Sequence, residues 1–163
     1  MKHVLFFFVI ISLSGCFGNN PDKTGHEGKP LPAFSMLLAD SVTWFNPANS
    51  PSGRAAVLLY FSPYCPHCRA QMDEIIEDMD RLREIQFYLV TSFPMRDMKL
   101  FYKKYKLGSY PNITVGMDTA NFLSRYFEIP AVPYMAIYGK DRKLRKTFIG
   151  EVYSRQIKAV SEE

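Results

Sequence analysis

The strongest constraint on this chain is a pair of cysteines, Cys65 and Cys68, separated by two residues. An apolar run from Ala55 to Phe61 precedes the pair, and an amphipathic helical pattern follows it. The first thiol is therefore predicted at a strand-to-helix turn, where free backbone N–H groups and the helix dipole favour a thiolate. The second thiol follows about one helical turn later, close enough to displace a mixed disulfide formed at the first. These groups are what thiol–disulfide exchange requires.

The hydrophobic pattern around the two cysteines predicts one α/β domain. The run from 55 to 61 is apolar throughout, which is typical of a strand buried on both faces of a parallel or mixed sheet. Further strands are predicted at 34–38, 41–45, 86–91, 112–117, 134–138 and 144–149, with helices after Cys68 and at 94–106, 119–127 and 154–161. Apolar residues at spacings of three and four give the first helix one inward face: Met72, Ile75, Ile76, Met79 and Leu82. Trp44 is predicted to be a packing residue.

Composition excludes few functions but argues against a nucleic-acid partner. The 163 residues suffice for one domain with a core, and the formal net charge is only +4, with the basic residues scattered or in short runs. The sequence also allows a metal-binding function, in which the two thiols hold copper or zinc together with His67 or His26. This interpretation has less support than the redox one, since the sequence has no second Cys-x-x-Cys or His-rich element to complete a closed site.

The first sixteen residues predict export. A basic start at 1–3 and a ten-residue apolar run at 4–13 form a signal-peptide pattern. The sequence Leu13-Ser14-Gly15-Cys16 then resembles the lipobox of bacterial lipoproteins. This resemblance implies a signal peptide at 1–15 and a lipidated Cys16 that attaches the chain to a bilayer. The alternative is an ordinary signal peptide that leaves a free thiol at Cys16. The polar stretch up to Lys29 is predicted to be a flexible tether. The predicted organisation is therefore a signal peptide at 1–15, a lipidated cysteine with its tether at 16–29, and one folded domain at 30–163.

The order of the predicted elements resembles the thioredoxin fold, and in particular the TlpA-like, membrane-tethered thiol–disulfide oxidoreductases. The resemblance covers about Leu31 to the C-terminus. It rests on four features: Pro30-Leu31-Pro32-Ala33-Phe34 with Asp40 in the following turn, the segment from Leu58 to Cys68, the segment from Tyr126 to Pro133, and Gly150 after the last strand. It implies a thioredoxin fold of class α/β, with a central mixed sheet flanked by helices and a short N-terminal β extension.

The same resemblance assigns roles to individual residues. Cys65 is expected to be the nucleophile and Cys68 the resolving thiol, with no other cofactor. Pro133 matches the cis-proline opposite the dithiol, and the Val132 backbone is expected to pair with an extended substrate peptide. Tyr64 stands where many relatives have tryptophan and is expected to contact substrate. Leu59 departs from the pattern, because thioredoxins carry a buried carboxylate there.

Two features predict opposite directions of electron flow. Pro66 and His67 complete the Cys-Pro-His-Cys tetrapeptide of DsbA-type oxidases, in which a protonated imidazole would stabilise the thiolate and raise the reduction potential. Many TlpA-like proteins are instead reductants, at the thioredoxin end of a range from about −270 to about −120 mV. We expect a reductase of exported proteins in the bacterial envelope that works with a membrane redox partner. The alternatives are a DsbA-like oxidase and a non-enzymatic copper-binding or docking module. The alternative for His67 is a solvent-facing helix residue with little influence on the thiols.

Overall fold

The computed structural model describes residues 20–163. The predicted signal peptide and the predicted lipidation site at Cys16 therefore lie outside the described residues. No helix within residues 20–163 is long and apolar enough to cross a membrane.

A seven-stranded mixed sheet forms the centre of the described chain. Its strands are β1 Met36–Leu38, β2 Trp44–Phe45, β3 Ala56–Tyr60, β4 Gln86–Thr91, β5 Ile113–Met117, β6 Tyr134–Tyr138 and β7 Leu144–Ile149, in the order β2-β1-β5-β4-β3-β6-β7. β3 pairs in parallel with β4 and antiparallel with β6. Every residue of β3 is buried, which explains its uninterrupted apolar sequence. The predicted α/β class and mixed sheet are confirmed.

Helices cover the sheet, and two apolar cores separate them from it. The helices are α1 Pro66–Glu77, α2 Met79–Leu82, α3 Met95–Lys104, α4 Phe122–Tyr126 and α5 Ser154–Ser161. One core contains Phe61, Met72 and Ile157 and lies under α1, α3 and α5, whereas the other contains Leu58, Tyr88 and Leu123 and lies under α4. The single helix predicted after Cys68 breaks at Asp78, although its apolar face continues into α2.

The segment from 22 to 31, here called the N-terminal strap, differs from the predicted flexible tether. It lies along the outer edge of β7, where the Asp22 N–H donates to Thr147 O (2.8 Å) and the Gly28 N–H donates to Leu144 O (2.8 Å). The His26 ring stacks on Tyr126 with centroids 4.3 Å apart. The strap docks because the edge strand offers unpaired backbone groups that the chain can bond. The tether prediction for residues 16–19 falls outside the described part of the chain.

Trp44 does not have the packing role that its sequence context predicted. It lies in the two-residue strand β2 at the edge of the sheet and is 57% exposed. Among the described strands, only β1 pairs with β2, so little of the fold is available to bury an indole there.

Candidate active site

Cys65 lies where β3 has ended and α1 begins. It occupies the N-cap position with an extended backbone, and Pro66 takes the first helical position, where the missing N–H costs no hydrogen bond. The turn is closed by a hydrogen bond from the Cys65 N–H to Ser62 O at 3.2 Å. The thiol is partly exposed, and its Sγ lies 3.5 Å from Val132 O. A thiolate at this position would face the N-terminal N–H groups of α1.

Cys68 lies one turn further along α1 and is only 1% exposed. The Ser62 N–H donates to its Sγ at 3.4 Å. Burial raises the pKa of the Cys68 thiol to about 12, against the smaller opposing effect of the Ser62 N–H. Cys68 is therefore a protonated thiol at neutral pH.

In the part of the chain that the structure describes, no carboxylate lies beneath the two thiols. Leu59 shares the apolar core with Cys68 and is buried at the position where thioredoxins carry an acid. Among the described residues the buried carboxyl group is that of Asp118, whose Oδ2 accepts a hydrogen bond from the Leu123 N–H at the start of α4. The departure seen in the sequence therefore has a structural counterpart: within residues 20–163, no buried carboxylate lies beside Cys68.

The loop before β6 faces the dithiol. The Val132–Pro133 peptide bond is cis, as expected from the resemblance. The Gly150 N–H donates to Pro133 O at 2.8 Å, which ties this loop to the segment after β7. Val132 O accepts from the Cys65 thiol, so it is the backbone carbonyl beside the exposed sulfur.

Tyr64 borders a shallow groove next to Cys65. Its side chain is 60% exposed and its ring meets Phe93 edge to face at 5.6 Å. A hydrogen bond with the Asp97 carboxylate raises the pKa of the Tyr64 hydroxyl. The groove has a volume of about 150 Å³ and continues along α3 past Leu100 and Lys104. Sequence reasoning missed the α3 residues, because nothing local shows which turn of α3 lies beside Tyr64.

His67 forms a contact that the sequence did not predict. Its Nδ1 lies 2.8 Å from Glu151 Oε1, although the imidazole is 71% exposed. Glu151 follows Gly150, which has a positive φ of 85°. The Gly150–Glu151 segment therefore contacts both the cis-proline loop and the first turn of α1. Gly150 was the only local signal for this connection.

The described residues do not gather a metal site. Within residues 20–163, no three His, Cys, Asp or Glu side chains lie close enough together to hold a metal ion.

The fold places this chain among the thioredoxin-fold proteins. A lipoprotein thioredoxin of Streptococcus pneumoniae superposes with a TM-score of 0.65 at 21% identity, over 81% of this chain and 100% of that protein. A thioredoxin-family thiol:disulfide interchange protein of Chlorobium tepidum superposes with a TM-score of 0.65 at 20% identity, over 82% of this chain and 93% of that protein. StoA of Bacillus subtilis superposes with a TM-score of 0.62 at 18% identity, over 80% of this chain and 97% of that protein. The thioredoxin fold and the resemblance to bacterial thioredoxin-like proteins are confirmed.

Sequence comparison adds a distant relative. No family model matches the chain. A probable nucleoredoxin 3 of rice, Oryza sativa subsp. japonica, is 27% identical over 115 residues, which is 69% of this chain. The chain spans only 24% of the length of that protein.

Proposed function

We propose that the chain is a thiol–disulfide oxidoreductase of the bacterial envelope, with Cys65 as nucleophile and Cys68 as resolving thiol. The observation that carries the proposal is the asymmetry of the pair. Cys65 is accessible at a helix N-terminus beside Val132 O and a cis-proline, while Cys68 is buried one turn below it. The names of the structural neighbours, a thiol:disulfide interchange protein and a lipoprotein thioredoxin, support the same chemistry.

The reaction follows from the positions of the two sulfurs. The Cys65 thiolate attacks one sulfur of a substrate disulfide, forming a mixed disulfide and releasing the other substrate sulfur as a thiolate that takes up a proton. Cys68 then loses its proton and attacks Cys65 Sγ. The Cys65–Cys68 disulfide forms, and the second substrate sulfur leaves as a thiol. Two electrons pass from the protein to the substrate, and a membrane dithiol returns them by the reverse exchange.

We propose the reductive direction on exported proteins, with a DsbA-like oxidase as the second candidate. The TlpA-like sequence pattern and the absence of a long helical insertion between the active-site helix and the cis-proline favour the reductase. One contact favours the oxidase: His67 Nδ1 lies 2.8 Å from Glu151 Oε1, which holds the imidazole in place within the Cys-Pro-His-Cys segment that this chain shares with DsbA-type oxidases.

The proposed location rests on the N-terminal sequence. The lipobox-like Leu13-Ser14-Gly15-Cys16 supports attachment to a bilayer through Cys16. One structural neighbour is named as an exposed lipoprotein.

Two measurements test the proposal. In an insulin-reduction assay with dithiothreitol as the electron source, Cys65→Ser is expected to lose the exchange activity. Cys68→Ser is expected to accumulate mixed disulfide that mass spectrometry detects. Activity retained by Cys65→Ser would overturn the assignment, and no reversible disulfide in the wild-type chain would favour the copper-binding or docking alternative.

The reduction potential of the Cys65–Cys68 pair, measured by equilibration in glutathione or dithiothreitol buffers, decides the direction. A value near about −270 mV supports the reductase, and a value near about −120 mV supports the oxidase. In the oxidase case His67→Ala lowers the potential, with Glu77→Ala, exposed at the far end of the same helix, as a control.

A further inference from the structure

The N-terminal strap runs along β7 in a defined direction. The Leu31 N–H donates to the carbonyl oxygen of Arg142, two residues before β7 begins, at 3.1 Å. The Asp22 N–H donates to Thr147 O, two residues before β7 ends. The last residue of β7, Ile149, pairs with Tyr134, which follows the cis-proline. The chain preceding Asp22 therefore emerges about 7 Å, or two residues of strand rise, from the end of the sheet that carries the dithiol.

The attachment of the strap is made by backbone and side chains together. The Leu144 N–H donates to Lys29 O at 2.9 Å, and the Thr147 hydroxyl donates to Asp22 O at 3.0 Å. His26 adds its stacking contact with Tyr126 and meets Phe127 edge to face. The strap is thereby bound at both ends and in the middle, so it moves with the domain.

Docking of the strap shortens the link to the proposed lipid. A free tether from Cys16 to Pro30 would reach about 50 Å, but six residues from Cys16 to Asp22 reach only about 20 Å. A domain of this size has a radius of gyration of about 14 Å and hence a diameter of roughly 37 Å. The link is shorter than the domain is wide, so the domain cannot turn freely above the bilayer.

We propose that the N-terminal strap holds the domain with its dithiol end toward the membrane, so that the Cys65–Cys68 pair meets a partner dithiol at the bilayer surface. The inference rests on the proposed anchor at Cys16. β3, which leads to Cys65, lies two strands or about 10 Å from β7, so the reactive sulfur is on the side of the molecule that the link holds close. The partner is a membrane-bound protein that carries two thiols. Those thiols become a disulfide while the Cys65–Cys68 disulfide becomes two thiols, so electrons and protons balance.

The experiment measures which end of the domain approaches the lipid. The chain from Cys16 to the C-terminus contains every described residue, and in a C65S/C68S background Cys16 is its one thiol. Cys16 is coupled to a maleimide phospholipid in vesicles that contain a dansyl-labelled lipid. Energy transfer is then measured from a single tryptophan at three places: native Trp44, Ala131→Trp with W44F, and Lys140→Trp with W44F.

These three positions distinguish a domain whose dithiol end faces the bilayer from one whose opposite end does. Ala131 is exposed in the loop that faces Cys65, and Lys140 is exposed in the turn at the opposite end of β7. Trp44 lies in β2, six strand spacings or about 29 Å from β7. The proposal expects transfer from A131W to exceed that from K140W about twofold or more. Transfer from Trp44 is also expected to exceed that from K140W, because Trp44 pairs with Leu37 at the end of the sheet that carries the dithiol.

A longer link supplies the control. Fourteen Gly/Ser residues inserted between Asn20 and Pro21 are expected to equalise A131W and K140W, whereas the same residues added after Glu163 leave the difference intact. Equal transfer from the two positions with the native link, or greater transfer from K140W, would overturn the proposal. The anchor is supplied chemically and the background is redox-inactive, so this result does not depend on the exchange assay that tests the proposed function.

Discussion

Cys65 and Cys68 lie one helical turn apart, yet their sulfurs have opposite surroundings. Cys65 meets solvent and Val132 O, while Cys68 lies in the apolar core, where the Ser62 N–H donates to its sulfur. Burial favours the neutral thiol, so the pKa of Cys68 is raised to about 12. The two thiols are therefore expected to differ in reactivity at neutral pH. In the proposed exchange, the second step would require removal of a proton from Cys68.

This raised pKa predicts a steep pH dependence for Cys68. In Cys65→Ser, alkylation of Cys68 by iodoacetamide should be slow at pH 7 and rise about tenfold per pH unit toward pH 10, since the thiolate fraction grows tenfold per unit below the pKa. Quenched samples analysed by mass spectrometry give the rate. Cys68→Ser, which keeps the accessible Cys65, is the matched control and should react much faster at pH 7. Equal rates for the two variants at pH 7 would contradict the assigned environments.

Replacement of the apolar Leu59 by an acid is expected to speed one step of the proposed exchange and to destabilise the domain. Leu59→Asp places a carboxylate in the core that holds Cys68, so it should accelerate release of substrate from the mixed disulfide while lowering the free energy of unfolding by several kcal/mol. Stopped-flow release of a labelled peptide and urea unfolding measure the two effects. Leu59→Asn is the control, because it has a similar shape but no basic group. Acceleration by both variants would show that loosened packing, rather than a base, limits the step.

Sequence analysis located the parts of the site that lie close together in the chain or in a known pattern. Cys65, Cys68 and the cis Pro133 were predicted from a motif and a resemblance. Glu151 was not, because it is 84 residues from His67 and only the fold brings them together. Asp97 beside Tyr64 was missed for the same reason. Contacts between distant residues leave no periodic signal in one sequence.

The segment between β7 and α5 joins the active-site helix to the rest of the domain. Gln71 is fully buried on α1, where its side chain accepts from the Val152 N–H at 2.6 Å and donates to Val152 O at 3.0 Å. One turn later the Glu74 carboxylate accepts from the Ser154 N–H at 2.8 Å, at the start of α5. These bonds fix the segment that carries Glu151 and Gly150 against α1. The position of His67 and that of the cis-proline loop are thus set by one connection.

Removal of the Gln71 amide should therefore weaken the whole domain. Gln71→Met keeps the volume but leaves both polar groups of Val152 buried without partners, at a cost of about 2–4 kcal/mol in the free energy of unfolding. Urea denaturation followed by circular dichroism measures the loss. The control is Gln86→Met, since Gln86 is only partly buried and bonds at 3.3 Å or longer. A loss for Q71M no larger than that for Q86M would show that water replaces the amide.

Element bounds were predictable where a pattern and a stop signal coincide. Strands β4, β6 and β7 and helix α5 have the predicted limits, and Gly150 separates the last two. The break at Asp78 was not predicted, because the apolar spacing of α1 continues through Met79 and Leu82. Only the packed structure shows where the backbone turns while the inward face is kept.

At the scale of the whole molecule, the N-terminal strap covers an edge that the sheet would otherwise expose. β7 is the last strand of the sheet, and an unpaired edge is a template for association with another chain. The sequence before Pro30 predicted a tether because it is polar and rich in Gly, Asn and Asp. Its docking depends on the free edge of β7 and on the exposed face of Tyr126, neither of which a local pattern reveals.

Removal of the strap should cost stability and solubility together. A chain that begins at Pro30 loses the bonds of Asp22, Gly28 and Lys29 to β7 and the stack of His26 on Tyr126, so its free energy of unfolding should fall by about 2–4 kcal/mol relative to a chain that begins at Asn20. Urea unfolding measures this difference, and light scattering measures association through the uncovered edge. His26→Ala in the longer chain removes only the stack and is expected to cost less than half as much, without association. If the shorter chain were as stable and as monomeric as the longer one, the strap would contribute nothing to the domain, and the short link on which the orientation of the dithiol depends would not exist.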